Sequence, residues 1–219
     1  MKDNVTPHAS YEYDKQIHKI LPFYENFHRS AIDLIKSVNR NPRTWLDTGC
    51  GTGAFAQKAL LDFPDTVFYL ADPADGMLNF AEKISGNIIK SGTVELDFPQ
   101  EMFDVITAIL AHHFFQPDER RLATENCFRM LKPGGIYVTF ECIRPYSSGG
   151  LEIAMKRWVN YKLANGISME KATEFYTKLD VEFYPITLSD HMELMKNCGF
   201  KTVELLWMTY MHAGFYAIK

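Results

Sequence analysis

The sequence predicts an α/β fold: a doubly wound, seven-stranded sheet, mostly parallel, with one antiparallel C-terminal strand. Three observations lead to this prediction. Short apolar runs alternate with helical patterns between residues 43 and 144. Gly49, Gly51 and Gly53 alternate in the turn after the first of these runs, and two apolar runs with a short connection end the chain. Alternating strands and helices are typical of a parallel sheet covered on both faces, whereas a short connection allows only an antiparallel pair.

The composition is that of a globular chain that forms one domain over residues 1–219. Hydrophobic residues make up 47% and charged residues 23%, which is enough to build a single core. The net charge of -4 argues against broad nucleic-acid binding, which needs a basic face. We expect no membrane span, because no apolar run approaches the ~20 residues required. The N-terminus has no signal-peptide pattern and the four cysteines are scattered, so a reducing cytoplasm is expected.

Residues 1–40 are predicted to form an N-terminal helical cap. Apolar residues recur at helical spacing after Pro22, which breaks the pattern, so the segment holds one or two helices. The pair Asn41 and Pro42 ends the last of them.

Residues 41–144 are predicted to form a ligand-binding core of alternating strands and helices. The expected strands, in chain order, are "TWLDTG", "TVFYLAD", "GNIIKSG", "FDVITAIL" and "IYVTFECI". The expected helices are "GAFAQKALLDF", "ADGMLNFAEKI" and "DERRLATENCFRML", the last stopping at "KPGG".

Residues 145–186 interrupt this alternation and are predicted to be a helical insertion that forms a substrate lid. It contains "LEIAMKRWVNYKLANG" and a second helix, "SMEKATEFYTKL", with Ser168 as N-cap. Residues 187–219 are predicted to be a C-terminal helix and a β-hairpin. Thr187 and Asp190 resemble a capping box, Gly199 is placed to end the helix, and the hairpin is expected to turn at residues 212–214.

Two aspartates follow the first two strands on either side of the glycine turn. Asp47 ends the first strand, and Asp72 ends the second ~20 residues past the turn, where an acidic side chain reaches a ribose diol. The turn alone fits a dinucleotide, a phosphate, S-adenosylmethionine or no ligand. Alanine at position 54 breaks the GxGxxG spacing, and a carboxylate at Asp47 suits an ammonium group better than a pyrophosphate.

The chain resembles the class I S-adenosylmethionine-dependent methyltransferases, particularly the methyltransferase-11 or ubiquinone-biosynthesis-like group, which have a Rossmann-like fold. The similar segments are "LDTGCGTGAFA", "YLADPADGML", "EMFDVITAILAHHFFQPDE", "MLKPGGIYV" and "MELMKNCGF". The resemblance is close over residues 40–145 and looser over residues 187–219. It implies S-adenosyl-L-methionine as cofactor.

The resemblance also implies the contacts of that cofactor. Asp47 would face its ammonium group, and the backbone of Gly49, Cys50 and Gly51 would line its amino-acid tail. Asp72 would bind the ribose. Met77 would cover the adenine, and the backbone of Ala108 would border the sulfonium. Thr93 stands where relatives often have an aspartate that binds the adenine amino group, so Glu95 or Asp97 is an alternative partner there.

His113 and Tyr13 are the predicted catalytic or acceptor-facing residues. Histidine is the natural base near neutral pH, and the helix that carries Tyr13 is expected to lie over the cofactor. Adjacent histidines point in different directions and no third ligand is spaced nearby, so we expect no metal at His112 and His113. One of the two can instead be a packed core residue.

The predicted function is methyl transfer from S-adenosylmethionine to a small organic acceptor by in-line displacement, which leaves S-adenosylhomocysteine. A tRNA-modifying methyltransferase would share the same core. A nicotinamide oxidoreductase and a non-catalytic nucleotide-binding module are two further functions that the glycine turn allows.

Overall fold

The computed structural model describes residues 10–219, in which seven strands form one sheet with helices on both faces. The strands are β1 (Thr44–Thr48), β2 (Val67–Ala71), β3 (Asn87–Ile89), β4 (Phe103–Ile109), β5 (Leu131–Cys142), β6 (Thr202–Thr209) and β7 (His212–Ile218). The helices are α1 (Ser10–Ile20), α2 (Tyr24–Val38), α3 (Ala54–Asp62), α4 (Asp75–Ala81), α5 (Pro117–Met130), α6 (Ser148–Ala164), α7 (Met169–Thr173), α8 (Phe175–Lys178) and α9 (Leu188–Asn197), with a 3₁₀ turn at His112–Phe114.

The strand order is β3-β2-β1-β4-β5-β7-β6, which confirms the predicted fold class. The pairs from β3 across to β5 are parallel, and β7 runs antiparallel to both β5 and β6. The order reverses between β1 and β4, so the crevice beyond the carboxyl ends of these two strands is the topological switch point. Open α/β sheets bind ligands at that point.

Successive residues of the central strands enter two separate cores, because side chains alternate across a strand. On one face Trp45 and Val105 pack with helices α2, α3 and α6. On the other face Leu46 and Ile106 pack with helices α5 and α9. Both faces of the sheet are therefore covered, and polar side chains at its carboxyl edge are held by rigid neighbours.

Helix α1 lies between the glycine turn and the insertion, and it is tied to both. The hydroxyl of Thr52 donates to Asp14 Oδ1 at 2.8 Å. From α6, the indole of Trp158 donates to the Ile20 carbonyl at 2.6 Å and the hydroxyl of Tyr161 donates to the His18 carbonyl at 3.0 Å. The predicted cap thus forms two helices broken near Pro22. Its first nine residues lie outside the described residues.

Three local predictions were wrong in detail. The last hairpin turns at Tyr210 and Met211, with Tyr210 at φ 47°, so residues 212–214 belong to β7. Strand β5 begins at Leu131 and not at Ile136, where the predicted strand "IYVTFECI" begins. Residues 132–135 form a bulge inside it, since Leu131 pairs with Phe103 and the next register pair is Ile136 with Val105. The predicted second helix of the insertion is two short helices, α7 and α8.

Helix α9 begins with the predicted capping box. Asp190 N–H donates to Thr187 Oγ1 at 3.2 Å, and Thr187 N–H donates to Asp190 Oδ2 at 3.2 Å. Thr187→Ala is expected to lower the free energy of unfolding by about 1 kcal/mol, because the Asp190 amide loses its hydrogen-bond acceptor. Urea denaturation measures this change. Lys196→Ala, on the exposed face of the same helix, is the control and should shift it by less than about 0.5 kcal/mol.

None of the helices in residues 10–219 is long and apolar enough to cross a membrane.

Candidate active site

The glycine turn between β1 and α3 uses backbone conformations that only glycine adopts without strain. Gly49, Gly51 and Gly53 have φ of 65°, 56° and 77°. A Cβ atom at Gly49 would lie 2.4 Å from the Cβ of Ala111, the second residue after β4. The turn therefore runs close against the end of β4, and α3 begins directly after it.

Asp47 has a buried carboxylate of which one oxygen accepts a hydrogen bond and the other, within the described residues, accepts none. Thr107 on β4 donates its hydroxyl to Asp47 Oδ1 at 2.6 Å, and the indole of Trp45 donates to that same hydroxyl oxygen at 3.0 Å. Among the described residues Asp47 Oδ2 has no partner. Burial, with the nearby charge of Asp72, raises the pKa of Asp47 to about 7 despite the bond from Thr107. A cation at Oδ2 would remove this desolvation penalty.

Asp72 follows β2 and binds the glycine turn from the other side. Its Oδ2 accepts from the Gly51 amide at 2.9 Å and its Oδ1 accepts from the Ala74 amide at 2.9 Å. Burial raises the pKa of Asp72, and the two amides oppose that shift. Because each carboxylate oxygen has more than one lone pair, both remain able to accept from a ligand diol.

The remaining predicted cofactor residues surround this crevice. The Cys50 amide donates to the Ala71 carbonyl at 3.0 Å, so the amides of Cys50 and Gly51 are both used within the protein. Met77 is buried in α4, with its sulfur 4.0 Å from the position that a Cβ of Gly51 would take. Ala108 is fully buried, and its carbonyl accepts from the Thr139 hydroxyl at 3.0 Å.

Thr93 points into the protein, which does not support a direct adenine contact. Its hydroxyl lies 2.7 Å from Thr48 Oγ1 and 3.0 Å from His112 Nε2. The other ring nitrogen of His112 lies 3.0 Å from the hydroxyl of Tyr137. Burial lowers the pKa of His112 to about 4, so His112 is a neutral histidine within an internal network.

His113 pairs with Glu141, a residue that the sequence analysis did not single out. His113 Nδ1 lies 3.0 Å from Glu141 Oε2, and the Thr139 hydroxyl donates to the other oxygen of Glu141. Burial alone would raise the pKa of Glu141, but its interactions with His113, the hydrogen bond first, outweigh burial and hold that pKa at about 2. Glu141 is thus ionised and orients the imidazole, while Nε2 makes no hydrogen bond within the described chain.

Arg120 fixes the backbone that carries this pair. It is almost fully buried in α5 and donates to the carbonyls of His112, Phe115 and Tyr184. The Tyr184 amide in turn donates to the His113 carbonyl at 2.7 Å. The 3₁₀ turn is therefore held from both the core and the insertion.

A cavity of about 130 Å³, here called the capped cavity, lies between this turn, α1 and the helices of the insertion. Tyr13, His113 and Leu110 line it, and Leu110 has a φ of 60° at the end of β4. Burial and the charges of Asp14 and Asp72 raise the pKa of Tyr13, so its phenol stays neutral. The left-handed backbone of Leu110 is strained, and strained backbone occurs at ligand sites. Apolar side chains form most of the wall: Ile17, Ile20, Leu21, Phe114, Trp158, Phe175 and Phe183.

The structure brings most of the predicted residues to one edge of the sheet and adds several that were missed. Glu141 had a signal in the sequence, because it is a charged residue inside the apolar strand "YVTFECI". No sequence signal distinguishes Thr107 and Arg120 from the other polar residues of strands and helices.

A family profile described as "Methyltransferase domain" matches residues 46–139. The chain is 23% identical to a carboxy-S-adenosyl-L-methionine synthase from Nautilia profundicola, over 94% of this chain and 90% of that protein.

Among solved structures, the chain is similar to the plantazolicin methyltransferase BpumL in complex with a pentazolic desmethylPZN analogue and S-adenosylhomocysteine. The TM-score is 0.72 at 16% identity, and the match covers 96% of this chain and 89% of that chain. It is also similar to human N-acetylserotonin methyltransferase in complex with S-adenosylmethionine, with a TM-score of 0.62 and 14% identity. The match covers 96% of this chain and 58% of the human chain.

Proposed function

Because the chain belongs to the class I S-adenosylmethionine-dependent methyltransferases, we propose that it methylates a small organic acceptor bound in the capped cavity. The observation that carries this proposal is the His113–Glu141 pair, because His113 lines the mostly apolar capped cavity. Tyr13, which lines the same cavity, lies near Asp72 of the crevice. A cavity of this size accommodates about one six-membered ring.

The residues of the crevice fit S-adenosylmethionine. The orphan oxygen of Asp47 would accept from the ammonium group, and Asp72 would accept from the ribose hydroxyls. Asp47 is nearly fully buried, and the ammonium would supply the positive partner that its carboxylate lacks in the free protein. Met77 would contribute apolar surface beside the glycine turn.

The cofactor supplies a methyl group that its positive sulfur already activates toward a nucleophile. The task of the protein is therefore to hold the acceptor in line and to remove its proton. His113 Nε2 would take the proton of a hydroxyl or amine, while Glu141 stabilises the imidazolium that forms. Tyr13 would lie at the junction of crevice and cavity as a neutral hydrogen-bond donor.

Two measurements test this function. Calorimetry should detect S-adenosylmethionine binding and no response to NAD; the opposite result would contradict the proposal. Incubation with S-adenosylmethionine and a panel of single-ring phenols and amines should give S-adenosylhomocysteine and a methylated product, detected by mass spectrometry.

Synthesis of carboxy-S-adenosylmethionine is a second candidate, because relatives of that name align with nearly the whole chain. This reaction would need a carboxyl donor and would leave the methyl carbon on sulfur. Mass spectrometry of the nucleoside product separates the two functions, since methyl transfer yields S-adenosylhomocysteine and carboxylation does not.

Cofactor binding is expected to release close to one proton per site at about pH 6, and this release should fall as the pH rises through about 7. The pKa of Asp47 is about 7 in the ligand-free protein, so at the lower pH the carboxyl is mostly protonated, whereas a bound ammonium favours the carboxylate. For the same reason Asp47 makes the ligand-free protein less stable as the pH rises from about 4 to 7. Calorimetry in buffers of different ionisation enthalpy measures the protons released. Asp47→Asn should abolish the release and Asp75→Asn, at an exposed position, should not.

A further inference from the structure

Lys162 is a buried lysine at the wall of the capped cavity. It is 5% exposed on α6. Its ammonium nitrogen lies 3.9 Å from the centre of the Trp158 ring and 5.7 Å from the centre of the Phe175 ring. One N–H donates to the Ala172 carbonyl at a long 3.3 Å.

These contacts compensate only part of the desolvation of the ammonium group. Burial of an unpaired charge is strongly unfavourable, and one long hydrogen bond with two aromatic rings replaces only part of the lost water. Lysine has three N–H donors, so two remain for a ligand. Burial lowers the pKa of Lys162 to about 8, which leaves the group mostly protonated at neutral pH.

The other polar groups of the cavity leave a positive balance. Glu174 also lines the cavity, but it forms an ion pair with Lys178 at 2.7 Å. His212 lines the cavity, and its Nδ1 atom is buried without a hydrogen-bond partner among the described residues. Burial lowers the pKa of His212 to about 3, so its ring is neutral. Lys171 also lines the cavity, as an exposed lysine. The buried ammonium of Lys162 and the neutral imidazole of His212 match a negatively charged group with a neighbouring polar atom.

We propose that the acceptor carries a carboxylate and that the ammonium group of Lys162 binds it inside the capped cavity. The proposal rests on the proposed methyl transfer, because it describes the acceptor of that reaction. Lys162 holds the anionic end of the molecule against Trp158, and His212 Nδ1 contacts a polar atom beside it. The apolar wall takes the ring, and the nucleophilic atom faces His113.

Calorimetry with benzoate and its neutral analogue benzamide tests this proposal. The wild-type chain is expected to bind benzoate at least about ten-fold more tightly than benzamide, as for a hydrogen bond to a charged group. Lys162→Met, which keeps the length of the side chain, should lose at least about ten-fold of the benzoate affinity and change the benzamide affinity by less than about two-fold. Lys156→Met, on the exposed side of the same helix, is the control and should leave both affinities unchanged.

Lys162→Gln keeps an N–H donor without the charge and serves as the second variant if Lys162→Met does not fold. Equal affinity of the wild-type chain for the two probes, or no saturable benzoate binding at all, overturns the proposal. Full benzoate affinity in the folded Lys162 variants overturns it too. S-adenosylmethionine binding measured on the same samples separates the two proposals: cofactor binding without benzoate binding refutes only the carboxylate site. Benzoate binding without cofactor binding refutes only the methyl transfer.

Discussion

Asp72→Ala is expected to reduce S-adenosylmethionine affinity by at least about 100-fold, since two hydrogen bonds to a charged group are lost together. Each ribose hydroxyl would donate to one oxygen of this carboxylate. Asp72, directly after β2, already accepts a hydrogen bond from the glycine turn at the Gly51 amide. Calorimetry measures the affinity, and thermal denaturation followed by circular dichroism checks the fold.

Asp72 also accepts from the Gly51 and Ala74 amides, so the alanine variant removes a support of the turn as well as a ligand contact. Asp72→Asn separates these effects, because the amide oxygen still accepts one backbone bond while the bidentate acceptor is lost. We expect the asparagine variant to fold like the wild type and to bind weakly. Asp75→Ala, on the exposed side of α4, is the matched control. Wild-type affinity in the folded Asp72→Ala variant would contradict the ribose assignment.

The positions of Asp47 and Asp72 could be predicted because they depend on local patterns. Each follows a short apolar run, and the carboxyl ends of parallel strands meet at one edge of the sheet. The glycine turn has a local signal for the same reason. The pairing of the two C-terminal strands was also predicted, but the turn between them was misplaced. Tyr210 adopts a left-handed conformation there, which is uncommon for a tyrosine and cannot be predicted from the residue type.

Long-range contacts explain what the sequence did not reveal. Lys162 is one of several cations on an amphipathic helix, and only packing of α6 against α7 and α1 separates it from the exposed Lys156. Thr93 was assigned to the ligand by its place in a resemblance, whereas its hydroxyl bonds to Thr48 and His112, residues distant in sequence. Which side chain completes a buried network depends on three-dimensional neighbours, and one sequence does not contain that information.

His113→Gln is expected to lower kcat/KM by about 10²–10⁴-fold for a hydroxyl acceptor, as for loss of a general base. Glutamine keeps a polar side chain next to Glu141 but cannot take a proton at neutral pH. S-adenosylmethionine affinity should not change, because His113 lines the cavity and not the glycine turn. Steady-state kinetics and calorimetry give the two quantities. His18→Gln, at an exposed histidine of α1, is the control and should retain wild-type kinetics.

A base and a merely structural histidine predict different dependence on the acceptor. If His113 removes a proton, the loss in His113→Gln shrinks as the pKa of the acceptor falls, because an already ionised acceptor needs no base. Glu141→Gln should behave in the same way with a smaller loss, since it removes the charge that stabilises the imidazolium and keeps the hydrogen bond. Its pH–rate profile should also shift relative to the wild type, which a purely structural role would not cause. An equal loss for acceptors of low and high pKa would instead assign His113 to packing, and the enzyme would then act by alignment of its reactants alone.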